Sequence, residues 1–554
     1  MKKIINNALQ VSKRKYSAIW GMFIALSLTG CTRNFEEYNT NPTELTSAQS
    51  GYAAISAITG MEHSINDDYE RAQDLGCNAF AGFLLETGFG APNNEDYLMN
   101  DNWNRTIFID EYPNVMGVAN AIAKTTTLRT TNPEIWAVVL IIQVEAMHRV
   151  TDKYGPIPYS QTGTSPLTAA YDNQQAVYQL FFKQLDTANA NLTAYIAANP
   201  GKTTLGSVDL IYNGDYTEWL KFANSLRLRL AMRIVRADAV TAEAEAKEAL
   251  ADPGGLLEIP GSVTAGALVA GGDDAFVAQP AGQQNDLNGL ANGGTSMNAA
   301  IQTYLQGYND PRLPMYFLPG TMGQNTIPGV TGQYIGVRTG TNAIPQFALY
   351  EHVSTPNTTA VFTFSAPEVL MTAAEVWFLR AEAALRGWSS DLVQTDYEKG
   401  ITASMAQWNV SIGSYLSNTG TEADYIDPVN PVNSITAASI GSNVTIPWNN
   451  GDSLERQLER IITQKWLALY PDGNEAWSEY RRTGYPRLFP LLAQNNLSVF
   501  PQLTAIQIRR LTYSVEEYTT NGPAVNYAVA NLLGGPDNIA TRVWWDNANQ
   551  LTNF

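Results

Sequence analysis

The sequence predicts a mostly α-helical protein with long, irregular loops and a few short strands. Three observations carry this. Five segments place apolar residues at three- and four-residue steps, alanines crowd one face of a helix, and the glycine-rich stretches between helices hold only short β-prone pieces.

Residues 134–150 (EIWAVVLIIQVEAMHRV) are apolar on nearly every side, the pattern of a buried helix. In residues 173–195, Ala176, Leu180, Phe181, Leu185, Ala188 and Leu192 recur at helical spacing. Residues 216–235 carry Trp219, Phe222, Leu226, Leu230 and Ile234, with Arg227, Arg229 and Arg233 decorating them. Residues 366–388 (APEVLMTAAEVWFLRAEAALRGW) form a fourth helix, rich in alanine at close-packing positions. Residues 453–469 form a fifth, and residues 474–482 continue from it after a Pro-Asp-Gly break. Paired amphipathic helices of this kind resemble degenerate tetratricopeptide-type hairpins, since no strict period is visible. The insertions at 254–294 and 319–345 are loops with small strands, of which residues 333–337 (QYIGV) are one.

The N-terminus reads as an export signal. Lys2, Lys3, Lys13, Arg14 and Lys15 precede an apolar run at 18–28, and Leu28-Thr29-Gly30-Cys31 follows at once. The run is too short to span a bilayer. The small Thr29 and Gly30 admit a peptidase, and the tetrapeptide resembles a bacterial lipobox. Residues 1–30 are then a cleaved signal peptide, Cys31 carries lipid, 31–42 is a polar, proline-ended tether, and 43–554 is one domain. Several acyl chains make an anchor effectively permanent. The mature protein sits on a membrane surface without crossing it.

Composition narrows the partners. Formal net charge is −18, and the segment before Cys31 holds five basic and no acidic residues. The mature chain keeps 29 basic against 52 acidic residues, near −23. That excludes nucleic acid as a partner and argues against docking on anionic headgroups through protein charge. Cys77 is the one other cysteine, in an apolar context, so no intramolecular disulfide forms once Cys31 is lipidated. Length alone would allow two or three domains, yet no linker or charge block divides the chain.

Several motifs then occur in order behind the lipobox: Phe35-Glu36-Glu37-Tyr38-Asn39-Thr40-Asn41-Pro42; Tyr154-Gly155-Pro156-Ile157-Pro158-Tyr159; Tyr212-Asn213-Gly214-Asp215 leading into Trp219-Leu220-Lys221-Phe222; Asp310-Pro311-Arg312; Ala374-Glu375-Val376-Trp377-Phe378-Leu379-Arg380-Ala381-Glu382-Ala383; Glu475 to Pro486; and Arg542-Val543-Trp544-Trp545-Asp546. Together they resemble the SusD/RagB family of Bacteroidetes outer-membrane lipoproteins, in its SusD-like subgroup, over most of the mature chain. The resemblance implies a SusD-like fold with four tetratricopeptide-like hairpins. It further implies a surface-exposed, lipid-anchored binder of oligosaccharide or oligopeptide. Such a protein acts as the hinged lid of a SusC-like TonB-dependent β-barrel transporter and performs no chemistry.

The motifs themselves read as structural. Pro156 and Pro158 fix a turn on which Tyr154 and Tyr159 bury. Glu375, Arg380 and Glu382 pair with neighbouring helices, Arg481 and Arg482 pair with buried carboxylates, and Trp544-Trp545 pins the C-terminus.

A sugar binder needs flat apolar faces with amide, carboxylate or guanidinium partners for hydroxyls, and a peptide binder needs backbone partners and shallow pockets. Two loop regions offer such groups. Phe89, Asn94, Tyr97, Asp101 and Trp103 crowd into residues 89–104, where the resemblance also implies part of the ligand site. Tyr308, Tyr334, Arg338, Tyr350 and His352 form the second set.

Nothing points to a cofactor or a metal. His63, His148 and His352 are not paired at ligand spacing, and His148 reads as a core residue. Asn66-Asp67-Asp68 and Gly272-Asp273-Asp274 lack EF-hand spacing and read as solvated loops. No nucleophile elbow, P-loop or dinucleotide motif occurs. Two alternatives stay open: a lipid-anchored glycoside hydrolase, and a helical-repeat scaffold that binds another protein.

Overall fold

The computed structural model describes residues 47–66, 70–86, 94–125, 127–164, 168–264, 267–269, 271–279, 284–291, 294–322, 329–341, 350, 352–493, 496, 498–500, 508–546 and 553–554. The signal segment, Cys31 and the tether lie outside them, as do Phe89, Asp67 and Asp68. The chain divides into residues 1–53 and a compact unit of residues 54–554.

The principal helices are α1 (Ser47–His63), α2 (Pro133–Tyr154), α3 (Gln174–Ala198), α4 (Tyr216–Arg233), α5 (Ala239–Ala251), α6 (Ala299–Gly307), α7 (Ala373–Leu385), α8 (Val393–Gln407), α9 (Leu454–Leu469), α10 (Gly473–Thr483) and α11 (Gly522–Asn531). Local chemistry sets their starts. Asn173, Asp215, Asp238, Thr372, Ser453 and Asp472 each accept a backbone N–H of the first turn, and Pro133 opens α2 where its missing N–H costs nothing. α2/α3, α4/α5, α7/α8 and α9/α10 pack as four antiparallel-type hairpins; α3 lies on α4, α4 on α7, and α7 and α8 on α9. From Glu134 to Tyr154 every residue of α2 is buried, as its all-round apolar sequence requires. Ala374, Ala381 and Ala383 of α7 are fully buried at the crossings.

Between helices lie five two-stranded antiparallel sheets among the described residues. Their strands are β1 (Leu84–Glu86), β2 (Ile157–Pro158), β3 (Tyr171–Asp172), β4 (Ser262–Thr264), β5 (Ala267–Val269), β6 (Ala275–Val277), β7 (Thr295–Met297), β8 (Phe317–Leu318), β9 (Thr355–Pro356) and β10 (Glu368–Met371). β1 pairs with β7, β2 with β3, β4 with β5, β6 with β10 and β8 with β9. The architecture is mostly α with short strands, as expected. No described helix is long and apolar enough to cross a membrane.

Several expectations need correction. Residues 366–388 are not one helix: Glu368–Met371 is β10, with Val369 opposite Phe276, and the helix starts after the Thr372 cap. Residues 333–337 form no strand and contribute a single bridge, Val337 to Asn298. Asp273 and Asp274 are buried rather than solvated. Asp273 accepts the backbone N–H groups of Glu258 and Ile259 and the Lys221 ammonium; Asp274 accepts Gly261 N and Ala373 N at 2.6 Å each. They supply acceptors that the loop and the first turn of α7 lack.

The arginines of α4 are likewise not decoration. Arg227, Arg229 and Arg233 are buried, and the last two enter a charged core shared by α2, α4, α7, α9 and α10. Arg149 reaches Glu145 at 2.9 Å and Asp472 at 3.1 Å; Arg233 meets Glu475, Glu479 and Asp152; Lys465 lies 3.4 Å from Glu475 and Glu479; Arg482 holds Glu382 at 2.7 Å and Glu479 at 2.6 Å. Buried charge survives only when its hydrogen bonds are filled, and planar guanidinium groups fill them two at a time. Arg481 departs from its expected role. It donates to the carbonyls of Asp152 and Arg509 and is sandwiched by Trp477 (3.6 Å) and Trp545 (4.7 Å), with no carboxylate partner among the described residues. Burial lowers it to about 10. Trp545 is fully buried and donates Nε1–H to Asp152 at 2.8 Å, which pins the C-terminal segment.

Candidate functional site

β1 and β7 root both loop regions. Leu84 faces Met297 and Glu86 faces Thr295. Asn298 N donates to Phe83 O, Val337 N to Met297 O, Met297 N to Ser354 O, and Ser354 N to Ile335 O, all at 2.7–3.0 Å. Four chain segments are thereby hydrogen-bonded into one hub. Leu85, Val337, Tyr350 and Val353 form a small hydrophobic cluster beneath it, against which Ile335 and Val429 pack. Gly336 is required here: a Cβ would stand 2.7 Å from Met297 O.

A third segment ties the first region to the second. Tyr97, at φ 63°, packs on Phe500 with ring centroids 5.2 Å apart, and Asn496 donates to Tyr97 O. Leu492 N donates to Thr339 O, and Arg338 donates to Pro490 O at 3.1 Å. Residues from sequence positions over two hundred apart are thus linked to one another.

Within the first region Asn94 is a buried organiser. It accepts Asn100 N at 2.9 Å and donates to Leu75 O at 3.2 Å and Asn104 Oδ1 at 2.9 Å. Asn100 caps the short helix Asp101–Asn104, which sets Asp101 and Trp103 half-buried at the surface. Burial pushes the Asp96 carboxyl up to about 6. Phe89 lies outside the described residues.

In the second region Tyr334 and His352 are half-buried, and His352 Nδ1 lies 3.3 Å from Thr321 Oγ1. Tyr308 is fully buried and donates to Val444 O at 2.9 Å. Tyr350, also fully buried, donates to Asp427, which further accepts Tyr425 OH, Asn433 Nδ2 and the backbone N–H groups of Val429 and Asn430. Asn94, Tyr97, Tyr308 and Tyr350 therefore face protein and shape loops, because each polar group or ring already has an internal partner. Asp101, Trp103, Tyr334 and His352 are the candidates left with access.

Arg338 is intermediate. It is buried and bonded to Asn433 O and Pro490 O, its Nε has no hydrogen-bond partner, and no carboxylate pairs with it among the described residues. Burial lowers its pKa, with Tyr425 opposing. An arginine kept dry without a counter-charge is a costly arrangement, which Arg338 shares with Arg481.

The Asp427 loop was missed by sequence reasoning. Its exposed Ile426 and Val432 flank the hub, and the only sequence signal was an Asp-Pro-Val-Asn-Pro run that reads as a turn. Among the described residues no group of three or more His, Cys, Asp or Glu side chains is placed to hold a metal.

Residues 37–546 match the SusD-like family, described as the SusD and RagB outer membrane lipoprotein. The fold is similar to a chitin-binding SusD homologue from Flavobacterium johnsoniae, at 36% identity and TM-score 0.81, covering 91% of this chain and 100% of that one. It is similar also to a SusD homologue from Bacteroides uniformis (35%, TM-score 0.79, 90% and 99% covered) and one from Bacteroides vulgatus (34%, TM-score 0.79, 90% and 98% covered). No curated protein sequence matches the chain.

Proposed function

Because the chain belongs to the SusD/RagB family of outer-membrane lipoproteins, we propose that it binds a nutrient oligomer at the loop hub and delivers it to a SusC-like TonB-dependent β-barrel, which it covers as a lid. The observation that carries this reading is the convergence of the Trp103 and Tyr334–His352 regions on one hydrogen-bonded hub. Half-buried aromatic faces beside amide and guanidinium donors suit a sugar ring. The chitin-binding neighbour at 36% identity supports an oligosaccharide over a peptide. In this reading the protein holds and releases its ligand and makes or breaks no bond in it. Cys31 carries the lipid, the body faces the exterior, and residues 32–42 form the leash that lets the lid swing.

Two measurements test it. A tag placed after Phe554 through a spacer, followed by mild extraction of outer membranes and mass spectrometry, recovers a stoichiometric large β-barrel; recovery of the chain alone overturns the lid. Trp103→Ala removes the oligosaccharide-binding event at the hub with the thermal transition unchanged. Unchanged binding removes the hub as the site.

A further inference from the structure

A cleft of about 650 Å³, lined by none of the hub segments, lies between the helical stretch 106–125, residues 158–163 and 168–169, and the short helix Val515–Thr520. Its floor is apolar and aromatic, with Phe108, Tyr112, Met116 and Pro158. Tyr112 and Met116 stand on a π-helical turn, Tyr112–Gly117, a wide turn found often at functional sites. Tyr112 OH is committed to Pro158 O at 2.8 Å, which fixes the ring as a wall. A second cavity of about 430 Å³ continues from it, sharing Asn120 and Thr162, and adds Trp136 and Tyr159. Each falls in the size range of ligand clefts.

The polar groups divide into two kinds. The charged side chains of the larger cavity are all engaged by protein: Lys124 donates to Gly163 O, Glu516 pairs with Arg105 at 3.1 Å, and Glu517 accepts Tyr171 OH at 2.6 Å. What a ligand meets besides these is neutral: the Asn120 amide, which donates to Thr162 Oγ1 at 3.1 Å, the Thr162 and Thr520 hydroxyls, which donate to Tyr159 O and Glu516 O and keep acceptor capacity, and the Thr168 hydroxyl. Asn521 also lines the cleft. Only 7% exposed, it donates to Ala169 O, while its Oδ1 has no hydrogen-bond partner among the described residues. In the smaller cavity Arg129 lies over the Trp136 ring at 5.3 Å, and Lys183 stands exposed at the rim.

We propose that this cleft is a second carbohydrate site, built for a run of neutral pyranose units and separate from the loop hub. Aromatic and aliphatic walls with amide and hydroxyl partners match a polyhydroxylated, uncharged chain. An anion would meet Glu516 and Glu517, and a cation would have to displace Arg105 or Tyr171 from them. The inference stands on the chemistry of the cleft itself and holds whether the hub takes glycan or peptide.

The test is calorimetric titration of the whole mature protein with chitohexaose, maltohexaose, xylohexaose and laminarihexaose. Wild type, Asn120→Trp, Thr168→Trp and Trp103→Ala are compared, with thermal melts as the folding control. The expected result is that each cleft tryptophan removes one binding event, or lowers affinity at least tenfold, for a sugar whose cleft binding Trp103→Ala leaves in place. Thr168 lies on the exposed rim, so Thr168→Trp decides if Asn120→Trp fails to fold. Binding untouched by both cleft variants overturns the proposal. So does the absence of binding by every hexasaccharide, an outcome that leaves a peptide-binding hub standing.

Discussion

Arg229 of α4 and Glu375 of α7 meet in a two-pronged ion pair, Nε to Oε1 at 2.9 Å and Nη2 to Oε2 at 2.7 Å, with both side chains 1% exposed. The pair joins the second helical hairpin to the third. Arg229 also donates to Leu370 O at 2.8 Å, so the same guanidinium fixes the strand that leads into α7.

Removing one partner strands the other. Glu375→Ala is expected to cost about 3–5 kcal/mol, since Arg229 and Lys465 lose a shared counter-charge in a dry site. Arg229→Met combined with Glu375→Leu takes out both charges and costs less than the sum of the single changes. Urea denaturation of the four proteins measures it; additive losses would mean that the two residues act independently.

Acid should release the same core. Burial alone would raise the Glu479 carboxyl, but Arg482, Lys465 and Arg233 outweigh it and hold it at about 2. Glu475 is held well below its usual range by Arg233, Lys465 and Arg229 against the same burial. A depressed folded pKa stabilises above the unfolded value and is lost as pH falls through the folded one. The urea midpoint therefore drops between about pH 4.3 and about pH 2. Glu479→Gln flattens that slope, and a slope equal to wild type's contradicts the assignment.

Glu422 has the opposite sign. Burial pushes its carboxyl up to about 9, with the hydroxyls of Thr303 and Tyr304 lowering it only in part. A raised folded pKa favours folding below the unfolded value and loses that contribution as pH rises through the folded one. Glu422→Gln keeps a neutral group, so the variant is more stable than wild type by several kcal/mol at about pH 9 and matches it at about pH 4. Melting curves at the two values decide.

Tyr350→Phe removes one donor from the Asp427 network without changing the ring. The expected loss is about 1 kcal/mol, concentrated in the loop rather than in the helices. Amide hydrogen exchange should quicken over residues 427–435 and stay unchanged in α2. Uniform quickening would show that the network stabilises the whole unit.

Much of this architecture was legible because helices announce themselves locally. The apolar faces of 134–150 and 173–195 and the segments 453–469 and 474–482 on either side of the Pro-Asp-Gly break place α2, α3, α9 and α10 within a few residues. β10 was hidden inside an alanine-rich run, since Val369–Met371 becomes a strand only by pairing with β6, some ninety residues earlier. Asp273 and Asp274 read as solvated because their acceptor roles depend on Glu258, Ile259 and Lys221 for the first and Gly261 and Ala373 for the second, which sequence does not place beside them. The same holds at the hub. Tyr308 and Tyr350 have the composition of ligand contacts, but carbonyl and carboxylate partners far along the chain draw them inside, while Trp103 and Tyr334 keep a face outward.

The link from Trp545 to Asp152 spans 393 residues, and Arg149 of the same helix waits for Asp472. A growing chain cannot complete these pairings of α2 until nearly its whole length is present. Until then each of those side chains prefers water. The last segment to arrive is the one that closes the first.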